Sequence, residues 1–205
     1  MTYDTLASAD TVSKTIAELA KRNIEATLVA TREEALAKIK ELIPAGASVM
    51  NGASVTLEQV GFVDYLKAGQ HGWNNLHVGI LAEKDPAKQA LLRKQAVLSD
   101  YYLGSVHAVA ETGEFIVGSN TGSQLPHVVY TSPNLVFVVS TQKIVPTLAE
   151  AMKRVEEYVV PLEEKHMQDL YKAHTALNKE VIFRGENPKS GRKVRILFVN
   201  EKLGF

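Results

Sequence analysis

Hydrophobic residues along the chain recur alternately at helical and at strand spacing. Residues 7–22 repeat apolar side chains at helical intervals, and residues 24–30 form a short apolar run of strand length. Residues 31–34, Thr-Arg-Glu-Glu, have the Thr-x-x-Glu form of a capping box, which predicts the start of a second helix. Residues 47–50 are another apolar run of strand length. The chain therefore opens with two helix–strand alternations.

The alternation continues to the far end of the chain. The further predicted elements are a strand at 76–80, a helix at 85–98, a strand at 135–139 buried on both faces, helices at 147–158 and 161–177, and strands at 181–184 and 193–199. The linker between the last two strands, residues 185–191, is typical of a hairpin.

Such alternation predicts an α/β fold with a largely parallel sheet flanked by helices, followed by a C-terminal β-hairpin. We expect a single domain over residues 1–205, in which residues 160–205 form a helix-and-hairpin appendage.

The segment 101–124 combines several signals. Residues 105–110 alternate as in a strand with one buried face, and residues 111–113 are typical of a turn. Residues 115–117 predict a second short strand, so this segment is expected to be antiparallel. The polar run 118–124 lets backbone amides and hydroxyls converge on an anion or a carbonyl oxygen, although a polar loop without a ligand has the same pattern.

Composition narrows the function classes. The 205 residues include 23 basic and 23 acidic ones, so the formal net charge is zero and the electrostatic footprint of a nucleic-acid binder is missing. The absence of cysteine excludes disulfides, thiolate nucleophiles and cysteine-held zinc or iron–sulfur clusters within this chain. No apolar run is long enough for a membrane span and no secretory signal is visible, so we expect a cytoplasmic protein.

Segments that follow predicted strands supply the candidate binding residues, because ligands of parallel sheets gather at the carboxyl ends of strands. Residues 51–58 lead from a strand into a capped helix and suit a phosphate or carboxylate, although a well-capped helix start explains them equally well. The candidate ligand-binding residues are Asn51, Gly52, Ser54, Thr56, Glu58, Thr112, Gly113, Ser119, Asn120, Thr121, Gly122 and Lys143. The three strand-exit segments, 51–58, 111–113 and 118–123, are in positions to form one crevice.

Glu111 is the candidate catalytic residue. It closes a strand beside a flexible turn, where a glutamate can act as a nucleophile on an acyl group or as a general base if burial raises its pKa. Glutamates in turns are usually solvated, and so are lysines such as Lys143 after a strand. His107 and His127 flank the polar run and can shuttle protons or make structural hydrogen bonds. No metal-ligating set of side chains is indicated.

Several motifs occur in a characteristic order. They are SVTLEQVG at 54–61, DYYLGSVHAVAETG at 100–113, the polar loop 119–122, the strand 133–139 and Lys-Ile-Val at 143–145. This succession resembles the LUD-domain (lactate-utilisation, LutC-like) family over roughly residues 7–160. The chain has Ser99 where the family pattern has alanine, and its last residues are similar to those of a short, single-domain subgroup.

The resemblance implies a fold like those of glucosamine-6-phosphate deaminase, ribose-5-phosphate isomerase and the CoA transferases. Family members are associated with oxidation of L-lactate to pyruvate alongside iron–sulfur partner proteins. Since this chain has no cysteine, any such cluster would belong to a partner. CoA transferases in this superfamily use a glutamate nucleophile, which would give Glu111 that role here.

Three functions stay open. The first is a lactate-utilisation component that binds a small anionic metabolite (a carboxylate, phosphate or CoA ester) or supports an electron-transfer complex. The second is a stand-alone enzyme of the CoA-transferase or sugar-phosphate-isomerase type that uses Glu111. The third is a non-catalytic ligand-sensing domain. A homodimer is also compatible with the sequence, with the apolar helix at 161–177 as its face.

Overall fold

A computed structural model describes residues 2–205, which form two β-sheets and eight α-helices. The strands are β1 (Glu25–Val29), β2 (Ser48–Asn51), β3 (Asn74–Asn75), β4 (Tyr101–Gly104), β5 (Ala108–Ala110), β6 (Phe115–Ser119), β7 (Asn134–Ser140), β8 (Ile144–Val145), β9 (Lys179–Phe183) and β10 (Lys193–Val199). The helices are α1 (Ala9–Lys21), α2 (Arg32–Leu42), α3 (Val55–Gln59), α4 (Phe62–Ala68), α5 (Leu76–Ala82), α6 (Pro86–Gln95), α7 (Leu148–Arg154) and α8 (Val160–Tyr171).

The larger sheet has six parallel strands in the order β1-β10-β7-β4-β2-β3. Side chains on one face, such as Phe137 and Phe198, pack with α1. Those on the other face, such as Val138 and Leu197, pack with α2, α3 and α4. Burial of both faces is what a parallel sheet requires. The predicted α/β class, with a largely parallel sheet flanked by helices, is confirmed.

The helix starts follow the predicted capping chemistry. The Thr31 side chain accepts a hydrogen bond from the Glu34 amide at 3.3 Å, and Thr147 accepts one from the Glu150 amide at 3.2 Å. Each threonine satisfies an amide that has no partner inside the helix. Beyond α7, a π-helical turn at Val155–Val159 leads directly into α8, so the two predicted helices are continuous.

The second sheet has four strands in the order β8-β5-β6-β9. The pairing of β5 with β6 is antiparallel, as the pattern of residues 101–124 predicts, and residues 111–113 form the turn between them. The segment nevertheless serves both sheets, because β4 lies in the larger sheet and β5 in the second one. The chain crosses between the sheets at residues 105–107, immediately after the carboxyl end of β4.

The predicted strand at residues 76–80 is wrong, because these residues form the start of α5. The Asn75 side chain accepts a hydrogen bond from the His77 amide at 3.0 Å and so caps a helix at this point. Ile80 is the only buried residue of α5, whereas Val78 is 63% exposed. Most of this apolar run has no core residues to pack against. The side-chain cap at Asn75 therefore decides its secondary structure, and the run forms a helix.

The predicted C-terminal hairpin is also wrong. β9 pairs with β6 in the second sheet, whereas β10 lies between β1 and β7 in the larger sheet and is parallel to both. This central position buries Ile196, Leu197 and Phe198 to 2% exposure or less. Burial on both faces outweighs the short connection that favours a hairpin. The C-terminal strand is thus part of the larger sheet and not of an appendage.

Candidate functional site

Lys143 lies at the junction of the two sheets. It follows β7 and precedes β8, and its side chain is buried, with 3% of the residue exposed. The ammonium Nζ lies 3.1 Å from Thr56 Oγ1, 3.1 Å from Ser105 Oγ and 3.3 Å from the carbonyl oxygen of Val106. Thr56 belongs to α3, after β2, and Ser105 follows β4. The polar side chains that follow β2, β4 and β7 therefore meet at the carboxyl ends of these parallel strands, as expected for this type of sheet.

The polar partners of Lys143 carry no negative charge. Within residues 2–205, its hydrogen-bond acceptors are two hydroxyls and one carbonyl, and no carboxylate forms an ion pair with it. Burial, together with the nearby positive charge of Arg154, lowers the pKa of Lys143 to about 7. Desolvation is the larger cause, since a charged amine loses its hydration in the protein interior. Part of the Lys143 side chains is therefore uncharged at neutral pH.

Arg154 is a second buried cation near Lys143. It lies at the end of α7 with no exposed surface, and its guanidinium donates hydrogen bonds to the backbone oxygens of His107 and Tyr3. The rings of Tyr3 and Tyr158 lie 5.8 and 5.1 Å from its Cζ atom, which gives weak cation–π stabilisation. Its Nε atom has no hydrogen-bond partner in the described part of the chain. Burial lowers its pKa to about 10.

His107 completes this group of basic side chains. Its Nδ1 accepts a hydrogen bond from the Gly118 amide at 3.0 Å, which requires an unprotonated nitrogen. Burial, with the charges of Lys143 and Arg154, lowers its pKa to about 4. His107 is therefore neutral at physiological pH. Of the two roles that the sequence left open for it, proton shuttle and structural hydrogen bond, the structure shows the hydrogen bond. We call Thr56, Ser105, His107, Lys143 and Arg154 the Lys143 cluster.

A short segment, residues 200–205, covers the Lys143 cluster. The Gly204 amide donates to Gln59 Oε1 at 2.7 Å, and Gln142 Nε2 donates to the Leu203 and Gly204 carbonyls at 3.2 and 3.0 Å. Gly204 has a φ of +61°, and a Cβ atom there would lie 2.3 Å from Thr56 Oγ1 and 3.1 Å from Lys143 Nζ. Only glycine fits this close approach. We call residues 200–205 the covering segment.

The segment after β2 lies beside this cluster. Ser54 caps α3 by accepting from the Leu57 amide at 3.3 Å, but α3 has only five residues, and Glu58 is exposed. The side-chain oxygen of Asn51 lies 3.0 Å from His77 Nε2. A Cβ atom on Gly52 would lie 2.4 Å from the Tyr102 hydroxyl. This segment therefore brings Thr56 to Lys143, while its other polar groups have local roles.

The polar loop after β6 satisfies most of its own groups. The Ser119 hydroxyl donates to Gln124 and accepts from the Gly122 amide at 2.9 Å, and the Asn120 carbonyl accepts from Lys179 at 3.2 Å. Thr121 is exposed. Gln124 Cβ lies 3.8 Å from the Cβ position of Gly52, so this loop approaches the segment after β2.

The turn containing Glu111 lies elsewhere. Lys143 and His107 precede β8 and β5, whereas Glu111 follows β5, so they lie at opposite ends of these parallel strands. Glu111 is in an ion pair with Lys14 at 3.3 Å. The carbonyl of Thr112 accepts from Arg22 at 2.8 Å, and the Cβ position of Gly113 is also occupied by Arg22. The structure does not bring this turn together with the other two strand-exit segments, and a catalytic role for Glu111 stays a prediction.

His127 has a structural environment like that of His107. Its Nδ1 lies 2.9 Å from the Ser132 hydroxyl and 3.2 Å from the Ser99 hydroxyl, and its ring stacks on Tyr102 at 4.4 Å. Burial lowers its pKa to about 4. The serine that replaces alanine at position 99 thus supplies a polar partner for a buried imidazole.

Of the predicted site residues, the structure brings Thr56 and Lys143 into direct contact. Sequence reasoning missed Ser105, Arg154 and Gly204 as parts of the same site. An arginine on an amphipathic helix has the pattern of a solvated residue, and the close approach of Gly204 depends on a contact that is distant along the chain. The solvated interpretation of Lys143 is wrong.

Residues 2–205 contain no group of three or more His, Asp or Glu side chains arranged to hold a metal ion. The helices of the same residues lack the length and apolar character needed to cross a bilayer.

Comparison with known proteins shows what the chain is similar to. The sequence profile of the LUD domain matches residues 12–180. The crystal structure of a DUF162 family protein from Deinococcus radiodurans covers 96% of this chain and 100% of its own, with 14% identity and a TM-score of 0.57. Ribose 5-phosphate isomerase A from Neisseria gonorrhoeae covers 97% of each chain, with 13% identity and a TM-score of 0.40. No curated protein sequence matches significantly. At 14% identity, the Deinococcus likeness concerns the fold alone.

Proposed function

Because the chain belongs to the LUD domain family, we propose that it is a lactate-utilisation protein that binds a small carboxylate at the Lys143 cluster. One observation carries this proposal. Lys143 and Arg154 are buried close together, and no carboxylate in the described residues compensates their charges. A carboxylate ligand supplies the missing negative charge.

Taking one ion out of water costs several kcal/mol even after the protein relaxes, and only a well-placed opposite charge offsets that cost. Perturbed ionisable groups of this kind cluster at functional sites more often than elsewhere. A bound anion would raise the pKa of Lys143 and make its charged form favourable again.

The shape of the cluster favours a small ligand. The hydroxyls of Thr56 and Ser105 each lie within hydrogen-bond reach of the Lys143 ammonium, and this set of three donor groups suits a single carboxylate. The covering segment leaves Lys143 only 3% exposed. A CoA ester would need an open groove at this place, so we favour a carboxylate of a few carbon atoms.

Partners are part of the proposal. Oxidation of lactate requires an electron acceptor, and the chain has no cysteine to hold an iron–sulfur cluster, so we propose that iron–sulfur proteins act beside it. A homodimer through α8 is proposed on the exposure of Leu170 and Tyr171, which are 61% and 66% exposed. Exposed apolar side chains near one another are typical of interaction surfaces.

The proposal is tested by a thermal-shift screen of the purified protein with lactate, pyruvate, phosphate and an acyl-CoA. A ligand at 100 times its dissociation constant adds about 2.7 kcal/mol, which raises the midpoint by roughly 5–10 °C for a chain of this size. We expect this shift with the carboxylates and its loss in Lys143→Met.

The matched control is Lys21→Met, since Lys21 is an exposed lysine of α1 with a side chain 68% accessible. This variant is expected to keep the full shift. A carboxylate shift of equal size in Lys143→Met would contradict the proposed site. A shift with the acyl-CoA or phosphate alone would favour the enzyme of the CoA-transferase or isomerase type.

A further inference from the structure

The surroundings of Lys143 Nζ accept a neutral amine as well as an ammonium. Its three close partners are the Thr56 hydroxyl, the Ser105 hydroxyl and the Val106 carbonyl. An ammonium donates to all three. A neutral amine has two N–H groups and one lone pair, and either hydroxyl can rotate to donate a hydrogen bond to that lone pair. A carboxylate partner would have fixed the charged form, and none is present among residues 2–205.

Lysines become nucleophilic when desolvation or a nearby cation favours the neutral amine. Both conditions hold here, because Lys143 is 3% exposed and Arg154 adds a second buried positive charge. The pKa of about 7 agrees with this environment. At neutral pH the site thus holds a substantial fraction of uncharged amine without a further base.

We propose that Lys143 is a nucleophile that forms an imine with the carbonyl carbon of a small 2-oxo acid bound in the Lys143 cluster. The inference rests on the proposed function, since the carboxylate of the oxo acid is what the positive cluster attracts. Arg154, whose Nε has no hydrogen-bond partner in the described residues, pairs with that carboxylate, and the uncharged fraction of Lys143 attacks the carbonyl carbon. It adds a covalent step that a 2-hydroxy acid cannot undergo. One site would then distinguish pyruvate from lactate by chemistry, although both are small carboxylates.

The step balances without an oxidant or a reductant. The Nζ lone pair forms the bond to carbon, and the carbonyl oxygen takes a proton from the Thr56 or Ser105 hydroxyl. The nitrogen, which now carries two protons and a positive charge, returns one proton to that hydroxyl and gives the neutral carbinolamine. Its remaining proton passes through a hydroxyl to the carbinol oxygen as the C–O bond breaks, so this oxygen leaves as water. The product is an imine, and one water leaves for each amine and carbonyl consumed. The two hydroxyls act as proton relays between nitrogen and oxygen.

Access to Nζ requires movement of the covering segment. Leu203 is fully buried and anchors this segment, whereas Gly204 and Phe205 are partly exposed. Gly204 is held by one hydrogen bond to Gln59 and one from Gln142. Breaking these two bonds uncovers Thr56 and Lys143 while Leu203 stays in place. The ligand would therefore enter by displacing two residues and not by opening the core.

The test is trapping with borohydride in the presence of pyruvate. Borohydride reduces an imine to a stable secondary amine, so the full-length protein gains the mass of pyruvate less one water plus two hydrogens. We expect one adduct per chain, found by peptide mapping on Lys143, and none with lactate under the same conditions. Lys143→Met is expected to lose the adduct, and Thr56→Val, which keeps the amine, to form it at least several-fold more slowly.

Binding of pyruvate without borohydride is measured in parallel by calorimetry. An adduct on Lys143 that exceeds modification of the exposed Lys21 supports the inference. Pyruvate that binds without an adduct on Lys143 overturns the imine and leaves the carboxylate site intact. Absence of both binding and adduct overturns the inference together with the proposed function. Peptide mapping of the unaltered chain decides these outcomes even if Lys143→Met fails to fold.

Discussion

A buried lysine without an acidic partner makes folding stability depend on pH. The pKa of lysine is about 10.4 in an unfolded chain, and burial lowers that of Lys143 to about 7. Between these two values the unfolded state binds more protons than the folded state, so the free energy of unfolding rises with pH. The destabilisation is fully present below pH 7 and disappears as the pH rises through the unfolded pKa.

We therefore predict different pH slopes for the wild type and Lys143→Met. From pH 7.5 to 9, the wild type should gain stability relative to the variant by roughly 1 kcal/mol per pH unit. Urea unfolding at several pH values measures both slopes. Lys21→Met, which removes an exposed lysine outside the covering segment, should follow the wild type. Equal slopes for the wild type and Lys143→Met would mean that Lys143 is not desolvated in the fold.

The burial of Lys143 and Arg154 cannot be predicted from the identity of these residues alone. Lysines after strands and arginines on amphipathic helices are usually solvated, because charged side chains are rarely buried without partners. Lys143 and Arg154 depart from that rule. Thr56 and Lys143 were nonetheless identified from the sequence, since both follow predicted strands of a parallel sheet. The contacts that join them to Ser105 and Gly204 depend on the three-dimensional arrangement of four distant segments.

A substitution at Gly204 tests whether the covering segment controls access to Lys143. Gly204→Ala places a Cβ atom 2.3 Å from Thr56 Oγ1, so we expect the segment to lift and Lys143 to react several-fold faster with an amine-modifying reagent. Gly46→Ala is the matched control, because Gly46 has a φ of +82° with no atom near its Cβ position. Mass spectrometry of the Lys143 peptide after brief labelling measures the rate. Unchanged labelling in Gly204→Ala would show that this segment does not control access.

The placement of β10 predicts where substitutions destabilise the fold. Ile196 is fully buried in the middle of the larger sheet, so Ile196→Ala should lower the free energy of unfolding by about 2–5 kcal/mol. Leu81→Ala removes an apolar residue that is 64% exposed on α5, and it should cost less than about 0.5 kcal/mol. Chemical denaturation measures both. A small cost at Ile196 would fit an appended hairpin instead of a central strand.

Elements with local signals were predictable, and those that depend on distant partners were not. The helices that start at Ala9, Arg32 and Leu148 have side-chain caps within a few residues, and β7 has the continuous apolar run of a buried strand. β10 has a similar run, but its neighbours in the sheet lie more than fifty residues away along the chain. Short sequence separation favours a hairpin for β9 and β10, and only the competing burial on both faces excludes it.

At the scale of the whole molecule, charge is balanced overall but not locally. The formal net charge is zero, so the surface offers no general attraction for anions. The positive charges of Lys143 and Arg154 are instead placed inside, where the low dielectric strengthens their interaction with a bound carboxylate. The junction of the two sheets creates this arrangement, because β4 and β7 lie in the larger sheet and the strands that follow them, β5 and β8, lie in the second one.

The most direct test of this account is the number of protons taken up when lactate binds. Calorimetry at pH 7 in two buffers that differ in heat of ionisation gives this number. Because a pKa of about 7 leaves part of the Lys143 side chains uncharged at pH 7, binding of an anion should take up a measurable fraction of a proton per lactate. Lys143→Met should take up none and bind more weakly. Lactate binding without proton uptake, or with the same uptake in the variant, would contradict the assignment of Lys143 as the cation of the site.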